Sequence, residues 1–134
     1  MRTEDGQACP PGPPRASVLV VDDDSALREA LRDLIDSSRL LRVVGAAGEP
    51  DAAARLAGEH APRLAVVDTR MPNGGGTRAA REIRARSPGT TVVAFSAYDD
   101  PVAREEMRRA GAVRFVVKGD PRDDLLAVLE EFLR

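Results

Sequence analysis

Hydrophobic residues recur along this chain in five short runs, and each run is followed by a longer stretch with apolar positions at helical spacing. The short runs predict strands at about 17–21, 41–46, 64–67, 91–95 and 114–117. The longer stretches predict helices at about 25–37, 50–60, 77–86, 101–111 and 120–132. Strands that alternate with helices are typical of βαβ units, which build parallel sheets. The sequence therefore predicts an α/β fold with five strand–helix repeats.

Local residue choices set the expected helix ends. Asp24 is the expected N-cap of the first helix, and Pro50 is a favoured first residue for the second. Asp100 and Asp120 are each followed by proline, which predicts that the fourth and fifth helices begin there. Gly111 is expected to close the fourth helix.

The first 15 residues differ from the rest in composition. They contain four prolines and a glycine at positions 10–14, which suit neither a helix interior nor a central strand. We therefore expect a flexible leader at 1–15 and one domain at 16–134, a length that buries a sizeable core.

Composition limits the classes of function. The 134 residues are 43% hydrophobic and 31% charged, with a formal net charge of −2, so neither nucleic-acid binding nor attachment to an anionic membrane is expected. No apolar stretch approaches membrane-spanning length, and the N-terminus lacks a signal-peptide pattern. The single cysteine, Cys9, is compatible with a reducing cytoplasm.

Some polar residues are expected only to face solvent. His60 ends the second helix, where a positive charge suits the helix dipole. The arginines of the first and third helices are predicted to form a solvated face: Arg28, Arg32, Arg78, Arg81, Arg84 and Arg86.

Reactive side chains follow four of the predicted strands. Asp22 and Asp23 follow the first strand, Asp68 the third, Ser96 the fourth and Lys118 the fifth. In an open parallel sheet, ligands bind beside the carboxyl ends of the strands, so these groups are expected to meet at one edge. Three carboxylates, a hydroxyl and an amine in one place suit a divalent cation together with a phosphoryl group.

The chemistry of this set favours Asp68 as a phosphoryl acceptor. A carboxylate accepts a phosphoryl group when a cation neutralises the incoming oxygens and donors stabilise the product. Mg²⁺ prefers oxygen ligands and needs only one or two carboxylates, so Asp23 and Asp68 are expected to bind it directly, with Asp22 acting through water. Lys118 is expected to pair with Asp68 before modification and with phosphate afterwards. Ser96 offers its hydroxyl to a phosphoryl oxygen.

In the segments around these acidic residues, Ser96 and Lys118, the chain resembles the receiver domains of two-component response regulators. The resemblance covers about residues 17–133, and the separations from Asp22 to Asp68, Ser96 and Lys118 in turn are 46, 28 and 22 positions. Each motif alone is weak, whereas the four in this order are specific. They are Val20-Val21-Asp22-Asp23-Asp24, Val67-Asp68-Thr69-Arg70-Met71-Pro72, Phe95-Ser96-Ala97, and Ala110-Gly111-Ala112 with Val117-Lys118.

The resemblance implies a fold and a function. The fold is a CheY-like, flavodoxin-like, doubly wound (βα)5 domain with strand order 2-1-3-4-5. Asp68 is implied to be phosphorylated by a histidine kinase or phosphotransfer protein, with Mg²⁺ held by Asp22, Asp23, Asp68 and the backbone carbonyl of Arg70. The domain is then a regulatory phosphoacceptor that catalyses only its own phosphorylation and dephosphorylation.

The resemblance also implies which residues and which surface respond to phosphorylation. Ser96 is the switch hydroxyl, Phe115 the switch aromatic and Lys118 the phosphate-contacting lysine. Phosphorylation is expected to change the surface of the fourth helix, fifth strand and fifth helix, which then forms a homodimer or releases a partner. Arg70 and Tyr98, each two residues past a site residue, are expected to set the lifetime of the acyl phosphate.

The subgroup is indicated by the residues around Ser96 and Lys118. Ser96-Ala97-Tyr98-Asp99-Asp100 and Lys118-Gly119-Asp120 are similar to the nitrate-response type, whose members usually carry a LuxR-like DNA-binding domain and regulate transcription. Most receiver domains have proline where Gly119 stands, often tyrosine where Phe115 stands, and an acidic residue where Gly75 stands. The run Gly74-Gly75-Gly76 is therefore expected to be a flexible loop.

Two other hypotheses compete with a phosphorylated receiver. Residues 21–25 faintly match the Asp-x-Asp motif of haloacid-dehalogenase-type phosphatases, in which case Asp22 is the nucleophile and Asp68 is a bystander. The chain is short for such an enzyme and has no cap insertion. A degenerate receiver that folds but is never phosphorylated would serve only as an interaction module.

Overall fold

A computed structural model describes residues 14–134, so nearly all of the predicted leader lies outside the described residues. Among residues 14–134, no helix combines the length and the hydropathy needed to cross a membrane. The strands are β1 (Ala16–Val21), β2 (Leu41–Ala47), β3 (Leu64–Asp68), β4 (Thr91–Ser96) and β5 (Ala112–Val117). The helices are α1 (Ser25–Asp36), α2 (Pro50–His60), α3 (Gly75–Arg86), α4 (Pro101–Arg109) and α5 (Leu125–Glu131), with a short 3-10 helix at Pro72–Gly74.

All strand pairs are parallel, and the strand order is β2-β1-β3-β4-β5. The expected doubly wound fold and its order 2-1-3-4-5 are therefore confirmed. The register places Val21 opposite Val67, and Asp68 opposite Phe95. Because these strands run in one direction, the residues that follow them meet at the same edge of the sheet.

The core has two layers, one on each face of the sheet, because successive strand residues point to opposite sides. In β1, Val18 and Val20 pack on the side covered by α1 and α5. Leu19 and Val21 pack on the side covered by α2, α3 and α4. Strands with both faces covered read as continuous apolar runs, which is the pattern seen in the sequence.

The expected start of the fifth helix is wrong. The helix begins at Leu125 and not at Asp120, because Asp124 is the actual cap and accepts a hydrogen bond from the Ala127 amide at 3.4 Å. Asp123 is drawn away from the helix, since its carboxylate accepts the Val117 amide at 3.0 Å. A contact with β5 therefore decides where α5 begins. The expected caps Asp24 and Asp100 are confirmed, since each accepts amide hydrogen bonds from the first turn of its helix.

The glycine run after β3 is mostly not a loop. Gly75 and Gly76 are buried and form the first turn of α3, so this helix begins two residues earlier than expected. A Cβ on Gly76 would collide with the carbonyl oxygen of Asp68 and with the Thr69 backbone. Glycine at position 76 thus lets α3 pack directly against the loop that carries Asp68.

Candidate functional site

Three carboxylates lie together at the carboxyl edge of the sheet. One oxygen each of Asp22, Asp23 and Asp68 lies within 4.8 Å of the others. Asp22 and Asp68 are buried, at 1% and 5% exposure, while Asp23 is exposed. This arrangement leaves one open side, at Asp23, from which an ion can enter.

The contacts of Asp22 fit a cation. Its Oδ1 accepts the Asp24 amide at 2.9 Å. Its Oδ2 is buried and accepts no hydrogen bond from the part of the chain that the structure describes. A buried carboxylate oxygen without a partner is costly. A divalent ion in the cluster would satisfy it, and three carboxylates supply the oxygen ligands that Mg²⁺ prefers.

Burial raises the pKa of the Asp22 carboxyl above its ordinary value of 3.8. The Asp24 amide opposes this rise, the Asp68 carboxylate adds to it, Lys118 opposes it and Asp23 adds to it. The charged form of Asp22 is therefore disfavoured in the folded protein when no cation is bound.

This raised pKa predicts a pH-dependent stability without metal. Because the folded protein binds a proton at Asp22 more readily than the unfolded chain, the contribution of Asp22 is present below the unfolded pKa and is lost as pH rises through the folded pKa. Asp22→Asn is expected to remove this loss. Urea unfolding in EDTA at a series of pH values from 4 to 7 checks it, with Asp33→Asn, an exposed residue of α1, as the control. Equal pH dependence in wild type and Asp22→Asn would contradict it.

The backbone around Asp68 is fixed by neighbouring groups. The Arg70 amide donates to Asp68 Oδ1 at 3.1 Å, and the Thr69 amide donates to the carbonyl oxygen of Phe95 at 3.3 Å. Thr69 Oγ1 is buried and has no partner among residues 14–134. No pattern in the sequence gave a signal for this buried hydroxyl. In the folded chain, α3 packs closely on the Thr69 backbone, where a Cβ on Gly76 would lie 3.0 Å from the Thr69 Cα.

Ser96 and Lys118 lie beside the acids and are joined to each other through the backbone. The Lys118 amide donates to the carbonyl oxygen of Ser96 at 2.7 Å. Ser96 is buried, and its hydroxyl oxygen accepts the Tyr98 amide at 3.3 Å. Lys118 stands next to Gly119, whose φ of 79° is left-handed and is readily adopted by glycine.

The expected ion pair between Lys118 and Asp68 is wrong for this state of the protein. Across the described residues, Lys118 is not within ion-pairing distance of any carboxylate, and its Nζ lies 5.0 Å from the centre of the Phe95 ring. Stacking on an aromatic face holds the ammonium close to the site without neutralising Asp68. Its charge still acts at the site, because it opposes the rise in the pKa of Asp22.

Two arginines pack on the aromatic residues that the resemblance singles out. The Arg104 guanidinium lies 4.6 Å from the centre of the Phe115 ring and also pairs with Asp99 at 2.7 Å. The Arg70 guanidinium lies 4.9 Å from the centre of the Tyr98 ring. Phe115 is 7% exposed, so its ring occupies the inward position. Sequence spacing alone gave no signal for Arg104.

The predicted solvated face of arginines is partly wrong. Arg28 reaches back to the site, where its Nη1 donates to the carbonyl oxygen of Asp22 at 2.7 Å. Arg84 and Arg78 are exposed as predicted, although Arg84 packs over Gly111 and Arg78 pairs with Asp51 at 2.6 Å. Such long side chains find partners that are distant in sequence, which helical spacing does not reveal.

A known family accounts for this arrangement. The family described as the response regulator receiver domain matches residues 18–130, which is most of the chain. The chain belongs to this family. Receiver domains are components of two-component signalling, so the sequence-based identification and its functional class are confirmed.

Individual relatives agree with this identification. The receiver domain is 33% identical over 121 residues to the probable transcriptional regulatory protein NarL of Mycobacterium tuberculosis, covering 90% of this chain and 56% of that protein. It is 31% identical over 107 residues to protein-glutamate methylesterase/protein-glutamine glutaminase 2 of Rhodospirillum rubrum, covering 79% of this chain and 30% of that protein. The solved signal receiver domain of M. tuberculosis NarL is similar with a TM-score of 0.79 at 32% identity, covering 90% of this chain and 98% of that one.

The chain spans about half the length of the NarL relative. The similarity to NarL, in sequence and in structure, agrees with the expected nitrate-response subgroup. The methylesterase relative places a similar region in an enzyme of a different kind. Membership in the family therefore identifies the domain, whereas the activity that the domain regulates has to be inferred separately.

Proposed function

We propose that Asp68 is the phosphoryl acceptor of this receiver domain and that a histidine kinase or phosphotransfer protein is the donor. The observation that carries the proposal is the cluster of the Asp22, Asp23 and Asp68 carboxylates, together with the buried Asp22 Oδ2 that has no partner among the described residues. We also propose a domain at 16–134 that follows a leader at 1–15, and the match over residues 18–130 supports the domain part of this division.

The reaction transfers one phosphoryl group. An oxygen of the Asp68 carboxylate attacks the phosphorus, a new O–P bond forms, and the P–N bond to the donor histidine breaks. The electron pair of that bond goes to the leaving imidazole, which takes up a proton. Hydrolysis of the acyl phosphate later returns the free carboxylate and inorganic phosphate. The domain itself acts on no other substrate in this proposal.

Asp22, Asp23, Asp68 and the backbone carbonyl of Arg70 are proposed to hold Mg²⁺. The ion supplies charge neutralisation for the phosphoryl oxygens when it is bound. Asp22 and Asp23 would supply carboxylate ligands to the ion in addition to Asp68. Asp68 then carries less charge repulsion toward the incoming group.

Ser96 and Lys118 are proposed to stabilise the phosphorylated state. Ser96 donates its hydroxyl hydrogen to a phosphoryl oxygen, and its oxygen can go on accepting the Tyr98 amide, because a hydroxyl donates and accepts at the same time. The Lys118 ammonium, held over the Phe95 ring, moves a short distance to pair with phosphate. Charge-assisted hydrogen bonds of this kind are stronger than neutral ones, so both contacts favour the modified state.

Arg70 and Tyr98 are proposed to set the lifetime of the acyl phosphate. Their side chains stack 4.9 Å apart, from the loops that follow β3 and β4. Because each follows a site residue by two positions, the pair is proposed to restrict the approach of water to the phosphorus.

The partners and output follow the family. The donor is a sensor histidine kinase or phosphotransfer protein, and the output is regulation of transcription, as the name of the NarL relative suggests. This domain is proposed to bind neither nucleic acid nor membrane directly. The low net charge and single cysteine support work in the cytoplasm.

Phosphorylation by acetyl phosphate with Mg²⁺, followed by mapping of the modified residue, tests the proposal. Modification of Asp68 supports it, and modification of Asp22 supports the phosphatase hypothesis, which the family match does not favour. A protein that binds Mg²⁺ but takes no phosphoryl group would be the degenerate receiver.

The switch surface gives a separate prediction. Phe115 is buried here, and a groove of about 250 Å³ lined by Arg104, Met107, Val113 and Phe115 lies beside it. We expect the unmodified protein to sample an exposed Phe115, and phosphorylation to favour the buried ring and association through α4, β5 and α5. Only a ligand that prefers one state shifts the population. Beryllofluoride with Mg²⁺ should change amide shifts around Phe115 and α4 in NMR spectra, whereas changes confined to the Asp68 loop would refute the switch.

A further inference from the structure

Asp22 is held from three sides, and each contact comes from a different part of the chain. Its amide donates to the carbonyl oxygen of Ala47 at 3.0 Å, which ties it to the end of β2. Its Oδ1 accepts the amide of Asp24 at 2.9 Å. Its carbonyl oxygen accepts Arg28 Nη1 at 2.7 Å. Only Oδ2 is left without a partner among the described residues. One carboxylate oxygen of Asp22 lies within 4.8 Å of oxygens of Asp23 and Asp68.

The contact between Arg28 and the Asp22 carbonyl oxygen depends on the glycine at position 48, which has no side chain. A Cβ on Gly48 would lie 3.5 Å from Arg28 Cζ, which is an ordinary contact, but 2.8 Å from Arg28 Nη1. The second distance is too short for the added methyl group and the guanidinium to keep their places. Gly48 does not adopt a left-handed φ, so the backbone alone does not require glycine here. The space that glycine leaves is filled by the guanidinium of Arg28.

We propose that Arg28 is a positioning residue for the cation site and that Gly48 provides the space it needs. Arg28 fixes the carbonyl oxygen of Asp22, and with it the peptide that carries Asp22 into Asp23. With its carbonyl, amide and Oδ1 all held, Asp22 keeps its carboxylate in place beside Asp23 and Asp68. This inference rests on the proposed function only in that the cluster binds Mg²⁺.

The role is positional, since Arg28 contacts the Asp22 carbonyl oxygen and pairs with no carboxylate among residues 14–134. A guanidinium on a carbonyl forms a charge-assisted hydrogen bond, which is stronger and shorter than a neutral one. Groups that orient ligands from behind typically change metal affinity by 10- to 100-fold when they are removed. An effect of about tenfold is expected here, because two other contacts of Asp22 remain.

Two variants remove the contact by different routes. Arg28→Met keeps an apolar stem and loses the donors. Gly48→Ala keeps Arg28 and pushes its tip away from the carbonyl. Arg32→Met is the matched control, because Arg32 lies one turn further along α1, is exposed, and lines the same cleft as Arg28. Urea unfolding of each variant establishes that it is folded.

Two measurements report the contact. Without metal, the Asp24 amide should exchange with deuterium faster in Arg28→Met and in Gly48→Ala than in wild type. In an NMR titration with Mg²⁺, the Kd for Mg²⁺ should rise about tenfold in both variants, whereas Arg32→Met should match wild type. In the double variant, Gly48→Ala should add no further loss to Arg28→Met, because the group it displaces is already gone.

The outcomes separate this proposal from the proposed function. If wild type binds Mg²⁺ and both single variants match it in Kd and in exchange of the Asp24 amide, the positioning role is wrong. If Gly48→Ala weakens binding further in the Arg28→Met background, it acts by a route other than Arg28, and the pairing of the two residues is wrong. If wild type itself binds no Mg²⁺, the cation site is wrong and the role of Arg28 toward it fails as well, whatever the exchange shows.

Discussion

Asp68→Asn is expected to abolish phosphorylation by acetyl phosphate in the presence of Mg²⁺ while leaving the fold intact. In the proposed reaction the Asp68 carboxylate is the attacking group, and an amide at the same position is too weak a nucleophile. The substitution keeps the shape of a buried side chain and keeps an oxygen that can accept the Arg70 amide. Intact-protein mass spectrometry gives the phosphorylated fraction, and unfolding in urea gives the stability.

Asp51→Asn is the matched control for this change. Asp51 is an exposed aspartate on α2 that pairs with Arg78 and lies outside the acid cluster. It should be phosphorylated at the wild-type rate. Phosphorylation of Asp68→Asn at the wild-type rate would show that the acceptor is another residue. If that modification then disappeared in Asp22→Asn, Asp22 would become the candidate nucleophile.

Asp23→Ala is expected to remove both Mg²⁺ binding and Mg²⁺-dependent phosphorylation. A ligand that binds only the folded state stabilises it by about 2.7 kcal/mol at 100 times its Kd. Wild type should gain about this much at such a concentration, and Asp23→Ala should gain almost nothing. Without metal the variant should be at least as stable as wild type, because it relieves repulsion among three carboxylates.

Thermal unfolding with Mg²⁺ and with EDTA measures both effects. Asp33→Ala removes an exposed carboxylate of α1 and should keep the full Mg²⁺ response. An Asp23→Ala protein that is stabilised by Mg²⁺ as strongly as wild type, or that is still phosphorylated normally, would remove Asp23 from the metal site.

Residues at strand ends were predictable from the sequence, because the chain direction of parallel strands brings their carboxyl ends together. Asp22, Asp68, Ser96 and Lys118 each follow an apolar run, so the pattern alone placed them at one edge of the sheet. The helix caps Asp24 and Asp100 were likewise local features. Local features fail where two candidates compete, as at the start of α5, where a contact from Asp123 to β5 decides the outcome.

Contacts made by the tips of long side chains were not predictable in the same way. Arg28 follows the periodicity of a solvent-facing helix position, yet its guanidinium lies on the carbonyl of Asp22. Lys118 has the expected place but stacks on Phe95, since a flexible four-carbon stem permits several partners. Gly48 gave no signal, because the space it leaves has meaning only once Arg28 is in position.

The strand order has a consequence for how far a signal must travel. Asp68 ends β3, Ser96 ends the neighbouring β4, and Phe115 lies on β5, which is the last strand of the sheet. Neighbouring strands are about 4.8 Å apart, so β3, which carries the proposed acceptor, lies two strand spacings, or roughly 10 Å, from the outer strand β5. The hydrogen bond from the Lys118 amide to the Ser96 carbonyl oxygen directly joins the ends of β5 and β4. In the proposed switch, communication therefore passes only between neighbouring strands, with no helix or distant core residue needed as an intermediary.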